Sequence, residues 1–110
     1  MQYIRVKIIT TVPHEHADSI REALGKAGAG QIGEYSFCST SILSKGRFKP
    51  SEQAKPFIGK ANKLEVVEEE IIEVICERAQ ARQVVQALRA AHPYEEPVVD
   101  IIPLVNEEDL

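Results

Sequence analysis

The sequence predicts an α+β domain of the ferredoxin-like type: a βαββαβ sandwich with two helices on one face of an antiparallel sheet. Two repeated patterns predict it. Residues 2–12 alternate polar and apolar side chains, as a half-buried strand does. Residues 13–27 then place apolar side chains at helical spacing. A strand pattern followed by a helix pattern returns between residues 64 and 91.

In the first half of the chain, the punctuating residues fit this order. Pro13 ends the first strand and suits the first turn of a helix, and Gly28 stands where a helix C-cap is expected. Residues 34–44 are rich in Tyr, Phe, Ser, Thr and Ile, which predicts a second strand. Residues 45–63 contain several glycine and proline breaks and no period, which predicts a long loop.

The second half completes the fold. Residues 64–76 are mostly β-branched in their apolar positions and predict a third strand. Residues 78–91 predict an amphipathic helix that ends at His92-Pro93, since the residue before a proline avoids helical geometry. Residues 97–104 predict the last strand. Residues 1–105 are therefore predicted to form a single domain, followed by an acidic tail at residues 106–110.

Length and composition exclude several classes of protein. A chain of 110 residues with 44% hydrophobic and 27% charged residues is typical of one folded domain. A net charge of −4 argues against a dedicated nucleic-acid binder. No run approaches the roughly 20 apolar residues of a membrane span, and the first residues lack the apolar stretch of a signal peptide. We therefore expect a cytoplasmic protein with neither a nucleic-acid nor a membrane partner.

Two helices cover only one face of the predicted sheet. Strands three and four carry apolar residues of both parities, such as Val98 and Ile102 against Val99 and Ile101. An apolar face that no helix covers is typical of a surface buried by self-association. The sequence therefore predicts a homo-oligomer.

The predicted loop at residues 45–63 is basic. It contains six lysines and arginines against the single acid Glu52. Such a loop can close over an anionic ligand, with Arg47 as a planar donor, Lys49 beside it and Phe48 favouring a packed loop. The alternative, which the residues favour, is a solvated connection whose charges keep it soluble.

A ladder of six glutamates runs along the predicted third strand and the residue that follows it. Glu68 and Glu70 are expected on one face and Glu69 on the other. Two carboxylates on one face can hold a hard cation such as Mg²⁺. The favoured interpretation is that these charges protect a strand edge or mark a solvated stretch.

Histidines and carboxylates supply the remaining candidate site residues. His14 and His16 stand at a helix start but point about 200° apart in helical geometry, so as a metal-binding pair they are weak. His92, Tyr94, Glu95 and Glu96 form a corner that can supply acid/base groups or metal ligands. The favoured interpretation is structural: His92 caps the helix, and Tyr94 anchors the corner with its ring.

The quoted segments resemble known families. VPHEHADSIREALGKAGAGQIGEYSFCSTS, residues 12–41, with GRFKPSE, PFIGKANKLEVVEEE and AHPYEEPVVDIIPL, closely resembles a domain inserted in bacterial members of the Nif-three-like family. That family is also called the dinuclear-metal hexameric proteins, and some members are named type 2 GTP cyclohydrolase I. HPYEEP is also similar to the corresponding segment of CutA, the trimeric divalent-cation-tolerance protein.

The resemblance implies a stand-alone domain of the PII-like/CutA-like group, with a ferredoxin-like fold and a trimeric assembly. The Nif-three-like two-metal site lies in a core domain whose motifs are absent from this chain, so no catalytic activity is implied. The chain departs from the family pattern at CSTS, residues 38–41, and at GKANKLE, residues 59–65. Both departures touch the long loop.

The sequence therefore predicts a trimeric binding or regulatory module that is not an enzyme. Its cofactor is unidentified, with a divalent metal or a small anionic ligand as candidates, and its partner is a small molecule or a protein. The alternative is a divalent-metal-binding protein of the CutA type. The predicted ligand-binding residues are Arg47, Phe48, Lys49, His92, Tyr94 and Glu95, and the candidate metal ligands are His14, His16, His92, Glu95 and Glu96.

Overall fold

The structure, a computed structural model, describes residues 2–110. Its elements follow in the order βαββαβ and form one antiparallel sheet with strand order β2-β3-β1-β4, which confirms the predicted fold class. Three short 3-10 turns flank them, the last within the acidic tail, at His14–His16, Arg78–Gln80 and Glu107–Asp109. The strands and helices are β1 Arg5–Pro13, α1 Ala17–Lys26, β2 Thr40–Phe48, β3 Glu65–Glu77, α2 Ala81–Ala91 and β4 Asp100–Leu104.

The core lies between the two helices and one face of the sheet. Alternate residues of β1 turn toward the helices, and Ile8 and Val12 are at most 1% exposed. Each helix places a buried stripe on this face, with Ile20 and Leu24 from α1 and Leu88 from α2. Burying each such side chain contributes on the order of 1.5–3 kcal/mol, so this layer supplies most of the stability.

Helix α1 ends as the sequence predicts. Gly28 adopts φ 108°, a left-handed conformation that favours glycine, and the Ala29 N–H donates to the Leu24 carbonyl at 3.0 Å. After this cap the chain remains in turns. Phe37 has φ 58°, and its ring lies against Gly25, where a Cβ atom would overlap it. Residues 28–39 therefore fold back on α1.

The predicted second strand is wrong in its bounds. It was expected at residues 34–44, but β2 runs from Thr40 to Phe48. The turns that hold Phe37 against α1 delay its start, and pairing with β3 carries it past Ser44 as far as Phe48 opposite Glu65. Lys45 and Arg47 therefore lie in a strand, and the connecting loop comprises residues 49–64 only.

Strands β2 and β3 form a hairpin that extends beyond the helices. Leu43 on the edge strand β2 is 76% exposed, and Val66, beyond the last residue that pairs with β1, is 52% exposed. The chain measures 49 × 27 × 23 Å with a radius of gyration of 15.3 Å, whereas a compact domain of this length has about 13 Å. The molecule is elongated because the hairpin has no helical cover.

Strand β3 is central, between β2 and β1. The interpretation that its glutamates protect an edge or mark a solvated stretch is therefore wrong for Glu69 and Glu70, which are each only 5% exposed. The predicted alternation holds, with Glu69 opposite Pro13 and Ser44 and Glu70 opposite Val12 and Leu43. No helix among residues 2–110 is long and apolar enough to cross a membrane.

Candidate functional site: a cleft on the helix-free face

The corner after α2 is fixed by His92. Its backbone leaves helical geometry at ψ 134°, while its N–H still donates to the Leu88 carbonyl at 2.9 Å. The imidazole, 7% exposed, bonds through both nitrogens: Nε2 with the Thr11 carbonyl at 2.7 Å and Nδ1 with the Tyr94 N–H at 3.1 Å.

These two bonds assign the protonation state of the ring. A carbonyl can only accept and a backbone N–H can only donate, so Nε2 carries the proton and Nδ1 is the acceptor. The ring is therefore neutral. Burial acts in the same direction and lowers the pKa of His92, since it disfavours the charged form. His92 is the C-cap residue of α2, as the structural interpretation predicted, while its imidazole ties the corner to β1 and orients Tyr94, which was not predicted.

Tyr94 lies above the sheet face that no helix covers. Its ring is tilted against that of Phe48 with the centroids 5.9 Å apart. Its hydroxyl donates to Glu69 Oε2 at 2.6 Å. Burial first, and then the bond to Glu69, raise the pKa of Tyr94, so the phenol stays protonated and acts as a donor.

The loop at residues 49–64 is packed against this corner. The Lys55 N–H donates to Glu95 Oε1 at 3.0 Å. Within the loop, the Asn62 N–H donates to the Pro50 carbonyl at 2.7 Å, and the ring of Phe57 meets that of His16 edge-on at 5.4 Å. These contacts fix the loop over the end of the sheet.

Sheet, loop and corner enclose a cleft of about 660 Å³. This volume falls within the range of small-molecule sites, roughly 300–1,000 Å³. The sheet supplies the floor, the loop one wall and the corner the other. The lining residues are Thr11, Ser44–Ile58 except Glu52, Gln53 and Lys55, Glu69, Ile71, Tyr94–Glu96 and Val98.

Most of the predicted ligand-binding residues line this cleft. Phe48, Lys49, Tyr94 and Glu95 do so, as does Arg47 at its rim. Arg47 pairs with Val66, and strand alternation turns its side chain to the sheet face opposite Phe48. His92 does not line the cleft and lies against Tyr94, with ring centroids 5.0 Å apart.

The candidate metal ligands are dispersed into separate contacts. His14 Nδ1 donates to Glu70 Oε2 at 2.6 Å, His16 meets Phe57, and both nitrogens of His92 are occupied. Glu96 lines the cleft. Over residues 2–110, no group of three or more His, Cys, Asp or Glu side chains is arranged to hold a metal ion.

Glu69 is a cleft residue that the predicted site does not include, although the sequence places it on the face of the strand opposite Glu68 and Glu70. It is nearly buried, lies on the floor and is the hydrogen-bond partner of Tyr94. One signal was available: three consecutive glutamates stand in a β-branched run that carries apolar residues of both parities, so at least one carboxylate must share a face with apolar side chains.

Comparisons with known proteins give the relationship of the chain. It matches no protein-family model. It is 52% identical over 101 residues to a GTP cyclohydrolase 1 type 2 homolog of Halalkalibacterium halodurans, which covers 92% of the chain and 27% of the relative. The Bacillus subtilis protein of the same name is 45% identical over 98 residues, 89% of the chain and 26% of the relative. The chain thus spans about a quarter of their length.

Solved structures similar to the chain agree with these sequence relatives. A Bacillus cereus protein related to NIF3 superposes with a TM-score of 0.82 at 42% identity, covering 94% of this chain and 26% of that one. The periplasmic divalent cation tolerance protein CutA from Archaeoglobus fulgidus superposes with a TM-score of 0.68 at 22% identity, covering 97% and 92%. The chain is therefore homologous to one segment of the proteins named GTP cyclohydrolase 1 type 2 homolog, which confirms the resemblance to the Nif-three-like family, and it has the fold of CutA.

Proposed function

We propose that this protein is a homotrimeric binding or regulatory module of the PII-like/CutA-like type, which binds a small molecule in the cleft between the 49–64 loop and the corner at residues 92–98. The observation that carries the proposal is the cleft itself. Its volume suits a small molecule, its walls are mainly apolar and aromatic, and a few polar groups converge on its floor.

The surface of the hairpin supports self-association. Ile102, on β4 at the other edge of the sheet, is 43% exposed on the helix-free face. In the hairpin, Ile42 is 51% exposed on the helix-free face, and Leu43 and Val66 are 76% and 52% exposed on the opposite face. Apolar exposure on both faces of one hairpin is typical of a surface that a second subunit covers. The cleft lies on the helix-free face, so a neighbouring subunit would lie close to it.

We propose that the chain by itself binds without catalysing a reaction. The cyclohydrolase name belongs to relatives of which the chain spans about a quarter. The Tyr94 hydroxyl in the cleft donates to Glu69, and both ring nitrogens of His92 behind it are bonded to backbone groups. We keep a cytoplasmic location as a prediction, together with a small-molecule or protein partner.

Mass measurement in solution tests the assembly. At micromolar concentration, light scattering should give three times the chain mass of 12.2 kDa. Ile42→Glu should reduce this mass, because it places a charge on the proposed interface. Gln86→Glu adds the same charge at an exposed position of α2 and should leave the trimer intact. A monomeric wild-type protein would overturn the trimer.

A thermal-shift screen tests the binding function. A bound small molecule should raise the unfolding temperature, since binding only the folded state stabilises it. Amide chemical shifts should then change in the 49–64 loop and at the corner. Stabilisation by Cu²⁺, Zn²⁺ or Ni²⁺ alone, with no organic compound active, would favour the metal-binding alternative and reject the small-molecule module.

A further inference from the structure

The floor of the cleft holds a buried carboxylate with an incomplete set of partners. Glu69 is 5% exposed, and its Oε2 accepts the Tyr94 hydroxyl at 2.6 Å. That distance is typical of a hydrogen bond to an ionised carboxylate. Across residues 2–110, this is the one hydrogen bond to its side chain, and no lysine, arginine or histidine forms an ion pair with it.

The sheet is shaped around this carboxylate. Oε1 of Glu69 lies over Gly46 on the neighbouring strand, and a Cβ atom at position 46 would overlap it. An ionised carboxylate has two oxygens and about four acceptor sites, of which Tyr94 fills one. Oε1 accepts no hydrogen bond from the described residues and stays accessible, because every fully buried polar side-chain atom among them has a partner. A donor that enters the cleft and reaches Glu69 therefore gains a charge-assisted hydrogen bond.

The basic groups around the cleft do not neutralise Glu69. Lys45 pairs with Glu68 at 3.7 Å, and by register both lie on the opposite face of the sheet. Arg47 turns to that face as well, and Lys49 is exposed at the rim. The charged group inside the cleft is therefore the hydrogen-bond acceptor Glu69, although the sequence of the loop is basic.

The walls beside Glu69 are aromatic. Phe48 and Tyr94 meet edge to face, and Phe57 lines the opposite wall. Aromatic faces favour planar apolar groups and attract cations through their quadrupoles. The cleft thus combines an acceptor-only floor with walls that accept a flat ring or a delocalised cation.

We infer that the cleft binds an organic cation with a planar, N–H-rich head group of the amidinium or guanidinium type, which donates to Glu69 while its apolar body packs against Phe48 and Phe57. This inference rests on the proposed binding function and specifies its ligand class. It differs from the anionic ligand that the basic sequence of residues 45–63 predicts, because Lys45 and Arg47 lie in β2 with their side chains on the opposite face of the sheet.

Benzamidinium and benzoate test the charge of the ligand. They share a flat ring and a planar head group but carry opposite charges. In a titration followed by amide chemical shifts on the intact chain, benzamidinium should bind at millimolar concentration and shift the amides of Gly46, Glu69 and Tyr94. Benzoate should shift none of them. This mapping on the wild-type protein depends on no variant.

Two matched variants, Glu69→Gln and Glu68→Gln, provide a second experiment. The first removes the charge on the cleft floor, and the second removes a charge one residue away on the opposite face. Affinity for benzamidinium should fall about tenfold or more in Glu69→Gln, since a charge-assisted contact is lost. Glu68→Gln should bind like the wild type.

Other outcomes overturn the inference in distinguishable ways. If benzoate binds at the cleft and benzamidinium does not, the cation inference is wrong while the binding module stands. Equal affinity in Glu69→Gln and the wild type would remove Glu69 from the site. If no probe shifts a cleft amide and the screen described above finds no stabilising compound, the binding function fails as well.

Discussion

Glu69 and Glu70 are neighbours on β3, equally buried at 5% exposure, and their surroundings differ in almost every respect. Glu70 faces the helices, where Arg21 Nη1 lies 2.7 Å from Oε1 and His14 Nδ1 lies 2.6 Å from Oε2. Glu69 faces the cleft with one tyrosine hydroxyl. Glu70 has a positively charged or imidazole partner on each oxygen and serves stability, whereas Glu69 has a partner on one oxygen only and is the candidate binding residue.

The contrast shows that burial alone does not distinguish a structural carboxylate from a binding one. The pKa of Glu70 is lowered chiefly by the hydrogen bond from Arg21, against the opposing effect of burial, and the bond from His14 adds to this. Partners supplied by the chain itself mark a closed network. A carboxylate that lines a cleft and lacks partners from the chain can accept hydrogen bonds from a bound molecule.

The largest stability effect is expected from Glu70→Gln. Removing this charge leaves Arg21 without its buried partner, although Arg21 keeps Asp18 at 2.6 Å and some contact with solvent. We expect the free energy of unfolding to fall by about 2 kcal/mol. Urea denaturation measures this, with exposed Glu68→Gln as the control at less than about 0.5 kcal/mol.

The same network sets a pH dependence. The pKa of Glu70 is lower in the folded protein than the ordinary value of 4.5, so the unfolded state binds more protons as the solution is acidified. The stability contributed by Glu70 is therefore complete above pH 4.5 and lost as the pH falls through the folded-state pKa. The difference between wild type and Glu70→Gln should shrink in acid. A constant difference would contradict the ion-pair account.

Tyr94→Phe should have the next largest effect. It deletes the hydroxyl that donates to Glu69 and leaves a buried carboxylate with no partner from the chain. We expect a loss of about 1 kcal/mol in the free energy of unfolding. Tyr35→Phe is the matched control, because Tyr35 is 75% exposed and should change stability by less than about 0.5 kcal/mol.

His92 connects the corner to this pair, and its titration gives a third test. Its pKa is lowered by burial from the ordinary value of 6.5, so the unfolded state takes up its proton first. Stability should fall as the pH drops from 6.5 toward the folded-state pKa, with a slope no steeper than about 1.4 kcal/mol per pH unit for one proton. His92→Gln should remove this component. An unchanged slope in the variant would show that another group titrates.

The fold could be predicted from sequence because its elements are local. The alternation in β1, the cap at Gly28 and the amphipathic pattern of residues 78–91 depend only on near neighbours, and the structure contains all three. The bounds of β2 could not be predicted, because its start depends on Phe37 packing against Gly25 and its end on register with β3.

The candidate site also combines local features that could be predicted from the sequence with long-range contacts that could not. The corner at residues 92–96 was found because a proline-flanked polar cluster between a helix and a strand is a local pattern. Glu69 was missed because its role depends on three distant contacts: with Tyr94, with Gly46 and with the cleft that the loop closes. The direction of the Arg47 side chain could not be predicted either, because it depends on the register of β2 with β3.

The smallest stability change is expected from Glu69→Gln, and it is the sharpest test of the comparison. The amide oxygen can still accept the Tyr94 hydroxyl, while the cost of burying an uncompensated charge is removed. We expect a change within about 0.5 kcal/mol in urea denaturation, in either direction. If Glu69→Gln instead costs as much as Glu70→Gln, both carboxylates are structural. The two glutamates would then differ in their partners but not in their role, and the cleft would lose the group that gives it a chemistry.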